Sequence, residues 1–162
     1  MENCSLEVID QNKRAISVYE RIGFRLHHRL LCYTGTINFN ENVRIQEVGL
    51  EAVKHYSSNH TYSWDNRLET IEQAGKTYQS YLAFRGENAE PAGYFILNPD
   101  IGYVAQLEST EGDWSALFSG ISQVCPTIKI NNIHEGRSTL IQHLEMAGFE
   151  HTINQFEMGM RL

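Results

Sequence analysis

The 162-residue chain is acidic, with 13 basic and 20 acidic side chains and a formal net charge of −7. An acidic chain without a basic stripe is not expected to have nucleic acid as its main partner. No apolar run is long enough to cross a bilayer, and the three cysteines are widely spaced and form no C-x-x-C pair. We therefore expect no membrane partner, no bound metal, and a reducing, cytoplasmic location.

The first part of the chain predicts a strand, a helix and a second strand. Residues 4–9 are apolar and β-prone, with alternate side chains on opposite faces. Asn12 is a good helix N-cap, and residues 13–22 then place apolar side chains on one helical face. Gly23 ends the helix as a C′ residue would, and residues 26–33 predict the next strand. This order is one α/β unit.

These residues carry a resemblance. The segment resembles the late strand-and-helix signature of GNAT-superfamily N-acetyltransferases, roughly L-x-V-x-x-x-N-x-x-A-x-x-x-Y-E-x-x-G-F. The matching residues, in order, are Leu6, Val8, Asn12, Ala15, Tyr19, Glu20, Gly23 and Phe24. The resemblance implies an α/β GNAT fold, a twisted mixed sheet flanked by helices that splays apart to admit acetyl-CoA.

The resemblance also implies roles for two side chains. Asn12 would lie along the arm of acetyl-CoA as a cofactor-binding residue, and Tyr19 would act as the catalytic acid that returns a proton to the departing thiolate. The residues by themselves allow a plainer interpretation. In that interpretation Asn12 only caps the helix and Tyr19 only packs, because caps and half-buried tyrosines are common.

The remainder of the chain predicts a complete set of elements after a polar link near residues 33–42. From Val43 the pattern gives a strand and then two helices, the second capped by Ser63 and ending at Gly75. A three-stranded meander follows over residues 77–107, with turns at its polar breaks. A helix, a strand, a helix and a last strand complete the order. From Val43 onward this is the full GNAT order.

The end of the chain repeats its beginning. When the pairs Gly23-Phe24 and Gly148-Phe149 are aligned, TIKINNIHEGRSTLIQHLEMAGF copies the strand, break, helix and Gly-Phe of the opening unit. We therefore predict that residues 1–35 are the tail of a first GNAT unit and residues 36–162 a second, degenerate one. In the family this unit closes a domain, so we expect either a fragment of a longer protein or a fold completed after the signature. We further expect residues 43–162 to form a self-sufficient sheet, with residues 1–35 added at its edge or across a dimer.

The second copy lacks the chemistry that its position requires. Arg137 stands at the position of Asn12, and Leu144, which cannot donate a proton, stands at the position of Tyr19. Family members bind the cofactor pyrophosphate with a loop like [RQ]-x-x-G-x-[GA], and the chain contains no such loop. The equivalent residues, 108–113, contain three carboxylates, each repelling a phosphate by on the order of 1 kcal/mol when partly solvated.

Three functional hypotheses follow. In the first, the parent protein is an N-acetyltransferase that moves the acetyl group of acetyl-CoA to a small-molecule or peptide amine, and this chain alone is weak or inactive. In the second, the chain is a non-catalytic GNAT-fold module that binds a small ligand or a partner. In the third, the opening unit completes a neighbouring sheet and the protein is a homodimer. The Asn12 and Tyr19 signature favours the first for the parent, and the acidic loop at residues 108–113 favours the second for the second unit.

Overall fold

The computed structural model describes residues 3–162, except for the side chain of His60. The strands are β1 (Asn3–Ile9), β2 (Arg25–Thr36), β3 (Val43–Val48), β4 (Gln79–Arg85), β5 (Gly93–Asn98), β6 (Tyr103–Ser109), β7 (Thr127–His134) and β8 (Glu150–Arg161). The helices are α1 (Lys13–Ile22), α2 (Leu50–Val53), α3 (Leu68–Gln73), α4 (Trp114–Val124) and α5 (Ser138–Met146). None of the helices described is long and apolar enough to cross a membrane.

All eight strands belong to one mixed sheet, in the order β1-β8-β2-β7-β6-β5-β4-β3. The neighbours are antiparallel except for β6 and β7, which are parallel. These two strands pair only at Tyr103 and Lys129, where the Lys129 N–H donates to the Gly102 carbonyl at 2.9 Å. Beyond that point β6 and β7 separate, and the sheet opens a cleft between their carboxyl-terminal halves.

The position of β2 corrects one expectation. β2 lies between β7 and β8, and within the described residues β8 pairs only with β1 and β2. The expectation that residues 43–162 form a self-sufficient sheet is therefore wrong, because β8 reaches the rest of the sheet only through β2. β1 does lie at the edge of the sheet. The division of the chain at residues 35 and 36 into two units stays a prediction.

Helices α1 and α5 end with the same Gly-Phe cap. Gly23 ends α1 with a left-handed φ of 118°, and the next residue, Phe24, donates its N–H to the Tyr19 carbonyl at 3.0 Å. At the end of α5, Gly148 has a φ of 80°, and Phe149 donates to the Leu144 carbonyl at 3.0 Å. A positive φ is accessible to glycine without steric cost, so the Gly-Phe pairs mark equivalent C-caps.

The segment before α3 differs from the prediction. Ser63 does not cap a helix, because its hydroxyl bonds to the Asp65 carboxylate and residues 64–66 form a 3-10 turn. α3 begins only at Leu68, whose N–H donates to the Asn59 side-chain oxygen at 2.8 Å. The irregular chain ahead of α3 supplies Tyr62 and Arg67 to the site described below.

Helices cover both faces of the sheet. One core cluster packs α4 and α5 against the sheet, with Phe118 and Leu144 fully buried. A second cluster includes Leu68 and Ile71 of α3 and lies against the central strands. A third joins α1 to β1 and β8 around Val8, Phe24 and Met158. Burial of these apolar side chains supplies the main stabilisation, about 25 cal/mol per Å² removed from water.

Candidate functional site

Arg137 fills the cleft between β6 and β7. The residue precedes α5, and its guanidinium donates to the main-chain oxygen of Leu107 at 2.8 Å and to the Glu108 carboxylate at 3.1 Å. It also donates to the Tyr62 hydroxyl at 3.1 Å. Only 15% of the Arg137 side chain is exposed, so this charge is buried and neutralised within the protein.

Tyr62 completes the closure of the cleft. Its hydroxyl accepts from the Leu107 N–H at 3.2 Å and lies 2.9 Å from the Leu107 carbonyl oxygen. Its ring lies under the Arg137 guanidinium, 5.3 Å from the ring centre. Burial raises the pKa of the Tyr62 phenol well above its ordinary range, so the hydroxyl stays protonated. Both main-chain polar groups of Leu107 are therefore satisfied by side chains and are not free for a ligand.

The amino terminus of α4 is also filled from within the chain. The Asp113 carboxylate accepts from the Ala116 N–H at 3.2 Å and thus caps the helix. Arg85 donates to the same carboxylate at 2.6 and 2.7 Å and also pairs with Glu41 at 2.5 Å. Arg85 lowers the pKa of Asp113, which keeps that carboxylate ionised. An anion at this helix end would meet a carboxylate that already uses the available donors.

The two residues predicted for the first unit lie away from this cleft. Asn12 is exposed and its side-chain oxygen accepts from the Ala15 N–H at 3.1 Å, as an N-cap does. Tyr19 is half-buried, and its ring meets the Phe24 ring edge-on at 5.9 Å. Both residues lie on the unit of β1 and α1, beside the edge of the sheet. Their roles in cofactor binding and catalysis remain predictions.

The structure adds a carboxylate that the sequence reasoning missed. Glu7 lies on β1, and its neighbour Val8 packs in the cluster with α1, so Glu7 faces the opposite side of the sheet. Burial, with the nearby Asp65 and Glu157, raises its pKa from 4.5 to about 7. One oxygen accepts from the Asn132 amide at 2.8 Å, and the other is buried with no partner among the described residues.

Asn132 attaches this carboxylate to the centre of the sheet. Its side-chain oxygen accepts from the Gln155 amide at 2.8 Å, and its N–H donates to the Cys32 sulfur at 3.4 Å. Among the described residues it is the only one other than glycine with a positive φ, which is 60°. Such a conformation in a buried residue persists only where its surroundings fix it. Asn132 lies where the register of β2 and β7 shifts, between the pairs Leu31–Ile133 and Tyr33–Ile130, and the sequence alone did not predict this irregularity.

A polar pocket of about 380 Å³ lies at the mouth of the cleft. Its lining includes His28, Arg67, His134, Arg137 and Glu157. His28 lies 2.7 Å from the Glu157 carboxylate, and the His28 and His134 rings are 4.2 Å apart. Burial and the neighbouring His28 lower the pKa of His134. Within residues 3–162 no cluster of three or more His, Cys, Asp or Glu side chains is placed to hold a metal ion.

The wall of this pocket joins segments from the two ends of the chain. Glu157 of β8 is the register partner of Glu7 on β1, and it is also the partner of His28 on β2. Strands β1, β2 and β8 therefore bring polar side chains from both ends of the described chain to one face of the sheet. The arrangement combines carboxylates, imidazoles and guanidinium groups, which can bind a polar ligand and exchange protons with it.

No protein-family model matches this sequence, and no curated protein is significantly similar to it. Solved structures do match along almost the whole chain. A GCN5-related N-acetyltransferase from Sphaerobacter thermophilus superimposes over 98% of this chain with a TM-score of 0.64 at 12% identity. A GCN5-related N-acetyltransferase from Kribbella flavida superimposes over 96% with a TM-score of 0.62 at 13% identity. The chain has the GNAT fold.

A conserved protein of unknown function from Enterococcus faecalis is similar to the same extent, over 97% of this chain, with a TM-score of 0.65 at 16% identity. The chain spans 59%, 67% and 44% of the lengths of these three structures, in the order given. The predicted fold class, a mixed sheet flanked by helices in the GNAT arrangement, is confirmed. The parallel pair β6 and β7 supplies the splay that belongs to this fold.

Proposed function

We propose that this chain is part of a tandem GNAT N-acetyltransferase that moves the acetyl group of acetyl-CoA to a small-molecule or peptide amine. The transfer would take place beside β1 and α1, and the second unit would be non-catalytic. One observation carries the proposal: Arg137 occupies the cleft of the second unit, whereas the equivalent position of the first unit is the short, exposed Asn12.

The edge of β1 is the feature that a first-unit cleft requires. β1 pairs with β8 on one side, and among the described residues no strand pairs with its other side. In the alignment of the two segments β1 corresponds to β7, so the free side of β1 is the counterpart of the β7 edge that faces the cleft. The proposal requires a second wall for this cleft, supplied by a segment outside these residues or by another chain.

The residues that flank β1 suit the two proton transfers of the reaction. Acetyl transfer needs a base that takes a proton from the amine and an acid that protonates the thiolate as the C–S bond breaks. Glu7, with a pKa of about 7, would be half ionised near neutral pH and suits the first role. Tyr19 on α1 would fill the second. Bound acetyl-CoA would supply the thioester, and Asn12 would contact its arm.

The second unit does not fit acetyl-CoA. A dianionic pyrophosphate at the start of α4 would have to displace Asp113 from Arg85 and from the Ala116 N–H. Breaking a charge-assisted pair without a replacement costs several kcal/mol when the remaining partner stays desolvated. The cost is smaller for Arg85, because its side chain is partly exposed to water. The pantetheine arm would in addition have to displace Arg137. We therefore place no step of the reaction there.

The test is an acetyl-transfer assay on the product of the longest reading frame that contains these residues. We expect the Glu7→Gln and Tyr19→Phe variants each to lower turnover by about 10²-fold, the usual scale of acid–base catalysis. Exposed Glu20→Gln on α1 is the matched control for Glu7. Full activity in both variants of an active protein would contradict this assignment of the site.

A second candidate function is a non-catalytic ligand-binding module. The pocket beside His28 and Arg67 favours it, because it combines charged groups with a volume of about 380 Å³ and is not filled by the chain itself. A homodimer that pairs the free edge of β1 is a third candidate. Sedimentation of the purified chain distinguishes it, because the dimer has twice the monomer mass of 18.6 kDa.

A further inference from the structure

A second, larger pocket lies at the ends of β1, β2 and β8. Its volume is about 610 Å³, and its lining includes Ser5, Arg25, His27, Arg67, Gly159 and Arg161. It shares Arg67 and Glu157 with the polar pocket at the mouth of the cleft. The two pockets therefore adjoin along the same part of the sheet.

The strand register explains why these side chains meet. Gly159 of β8 is the partner of both Ser5 on β1 and Arg25 on β2, and Arg161 is the partner of Asn3. Gly159 has no side chain, and the His27 ring takes that space. A Cβ atom at position 159 would lie 2.3 Å from this ring. The glycine therefore lets the His27 ring pack against β8, and His27 forms part of the pocket wall beside the arginines.

The charge of the pocket is opposite to that of the chain. The net charge is −7, yet Arg25, Arg67 and Arg161 all line this one pocket. Within residues 3–162 none of the three lies within ion-pair distance of a carboxylate, in contrast to Arg85 and Arg137. Guanidinium groups are the side chains best suited to phosphate and carboxylate groups.

The one carboxylate on the pocket wall lies at its other end. Glu157 contacts His28 at 2.7 Å and is the register partner of Glu7. Along an extended strand of about 3.3 Å per residue, Gly159 and Arg161 lie roughly 7 and 13 Å from Glu157. The groove thus runs from an acidic end, suited to an amine, to a basic end, suited to an anion.

We propose that this groove binds a small molecule that carries a primary amine and, roughly 7–13 Å away by the strand spacing, a phosphate or carboxylate group. The anion lies among Arg25, Arg67 and Arg161, and the amine lies beside Glu157. The assignment of this molecule as the acetyl acceptor rests on the proposed function. The anion-binding site itself does not.

The test is calorimetric titration of the purified chain at low ionic strength with three probes of similar length: aminopentyl phosphate, aminohexanoate and aminopentanol. We expect a probe with an anion to bind at least about tenfold more tightly than aminopentanol, the gain of one charge-assisted contact. Comparison of aminopentyl phosphate with aminohexanoate identifies which anion the pocket prefers. Equal binding of all three probes, or no binding of any, would overturn the proposal.

Substitutions locate the site. The double variant Arg25→Gln/Arg161→Gln is expected to abolish the preference for the anionic probes, because both side chains are exposed and make no ion pair within the described residues. The double variant Arg14→Gln/Arg21→Gln removes the same two charges from exposed positions on α1, outside the pocket, and should leave the preference unchanged. If the Arg25→Gln/Arg161→Gln variant has an unchanged melting curve and still binds the anionic probes more tightly than aminopentanol, the anion binds outside this pocket.

The outcome is separable from that of the acetyl-transfer assay. Anion-dependent binding without acetyl transfer would keep the site and remove the proposed reaction. Acetyl transfer that is indifferent to the anion of the acceptor would keep the reaction and remove this substrate class.

Discussion

The Arg137 guanidinium and the Leu107 main-chain oxygen are joined by a hydrogen bond of 2.8 Å across the cleft between β6 and β7. This bond uses the edge of β6 at the place where the two strands separate. The residue that makes it stands where the opening unit has Asn12, whose side chain is too short to cross such a gap and instead caps its own helix. Arg137 therefore fills the cleft beside its helix, whereas Asn12 at the aligned position contacts only its own helix.

Removal of Arg137 should destabilise the fold. Arg137→Ala leaves the Glu108 carboxylate, 17% exposed, without its cationic partner, and we expect a loss of about 3 kcal/mol in the free energy of unfolding. Urea denaturation of Arg137→Ala, Glu108→Gln and the double variant measures the coupling, for which we expect about 1–3 kcal/mol. Exposed Arg14→Ala is the control, expected within about 0.5 kcal/mol of the parent. A loss below about 1 kcal/mol for Arg137→Ala would mean that the cleft is not closed by this residue.

The chain by itself should bind acetyl-CoA poorly. Under the proposed function acetyl-CoA would need the start of α4 and the cleft between β6 and β7, which Asp113 and Arg137 already occupy, and no strand pairs with the free side of β1 among the described residues. Calorimetric titration with acetyl-CoA is expected to give no dissociation constant tighter than about 100 μM, or about 5.5 kcal/mol of binding free energy. A micromolar constant would require a different pyrophosphate site.

Tyr19→Phe distinguishes catalysis from packing. The ring contacts Phe24 in the cluster with α1, and the substitution keeps that contact while removing the hydroxyl. If Tyr19 is the acid, turnover of an active form of the protein should fall about 10²-fold with almost unchanged stability. Half-buried Tyr56→Phe provides the matched control. Turnover within a few-fold of the parent would leave Tyr19 with a packing role only.

Glu7 should make stability depend on pH. Its pKa is about 7 in the folded chain and close to 4.5 when unfolded, so between these values the folded state holds the proton more strongly. Stability therefore falls as the pH rises from about 4.5 to 7, and the cost is complete above 7. Glu7→Gln should remove this cost and raise the unfolding free energy at alkaline pH by on the order of 1–3 kcal/mol, with little change near pH 4.

Thermal or urea unfolding at acidic and alkaline pH measures this difference. Exposed Glu20→Gln is the control and should change the unfolding free energy only slightly at both acidic and alkaline pH. An equal effect of Glu7→Gln at acidic and alkaline pH would show that its carboxylate is not desolvated in the folded chain.

Residues 43–162 should not fold without the opening unit. Without the residues before position 43, β7 and β8 would both lose β2, the strand that lies between them. A chain that begins at residue 43 should show no cooperative transition when urea denaturation is followed by far-ultraviolet circular dichroism, whereas the full chain should show one. Recovery of a cooperative transition when residues 1–42 are added as a separate peptide would support the requirement for β2. A cooperative transition in the truncated chain alone would contradict it.

Local patterns in the sequence determined much of this fold. Asn12, Gly23 and Gly148 act through hydrogen bonds and φ angles within a few residues, so their positions predicted the ends of α1 and α5 correctly. The alternation in residues 77–107 likewise predicted the meander of β4, β5 and β6. The spacing from the two Gly-Phe pairs also predicts that Arg137 and Asn12 occupy equivalent positions.

Contacts between distant segments decided the rest. The insertion of β2 between β7 and β8 depends on pairs that lie from 91 residues apart (Thr36 and Thr127) to 134 residues apart (Arg25 and Gly159), which no local period encodes. The sequence around Glu7 predicts only that its side chain faces away from Val8, and this does not identify a buried carboxylate. Its raised pKa comes from burial and from Asp65 and Glu157, which only the folded sheet brings within reach. Desolvation and charge interactions act through space, so the sequence determined the elements and their caps, and tertiary structure decided which side chains meet.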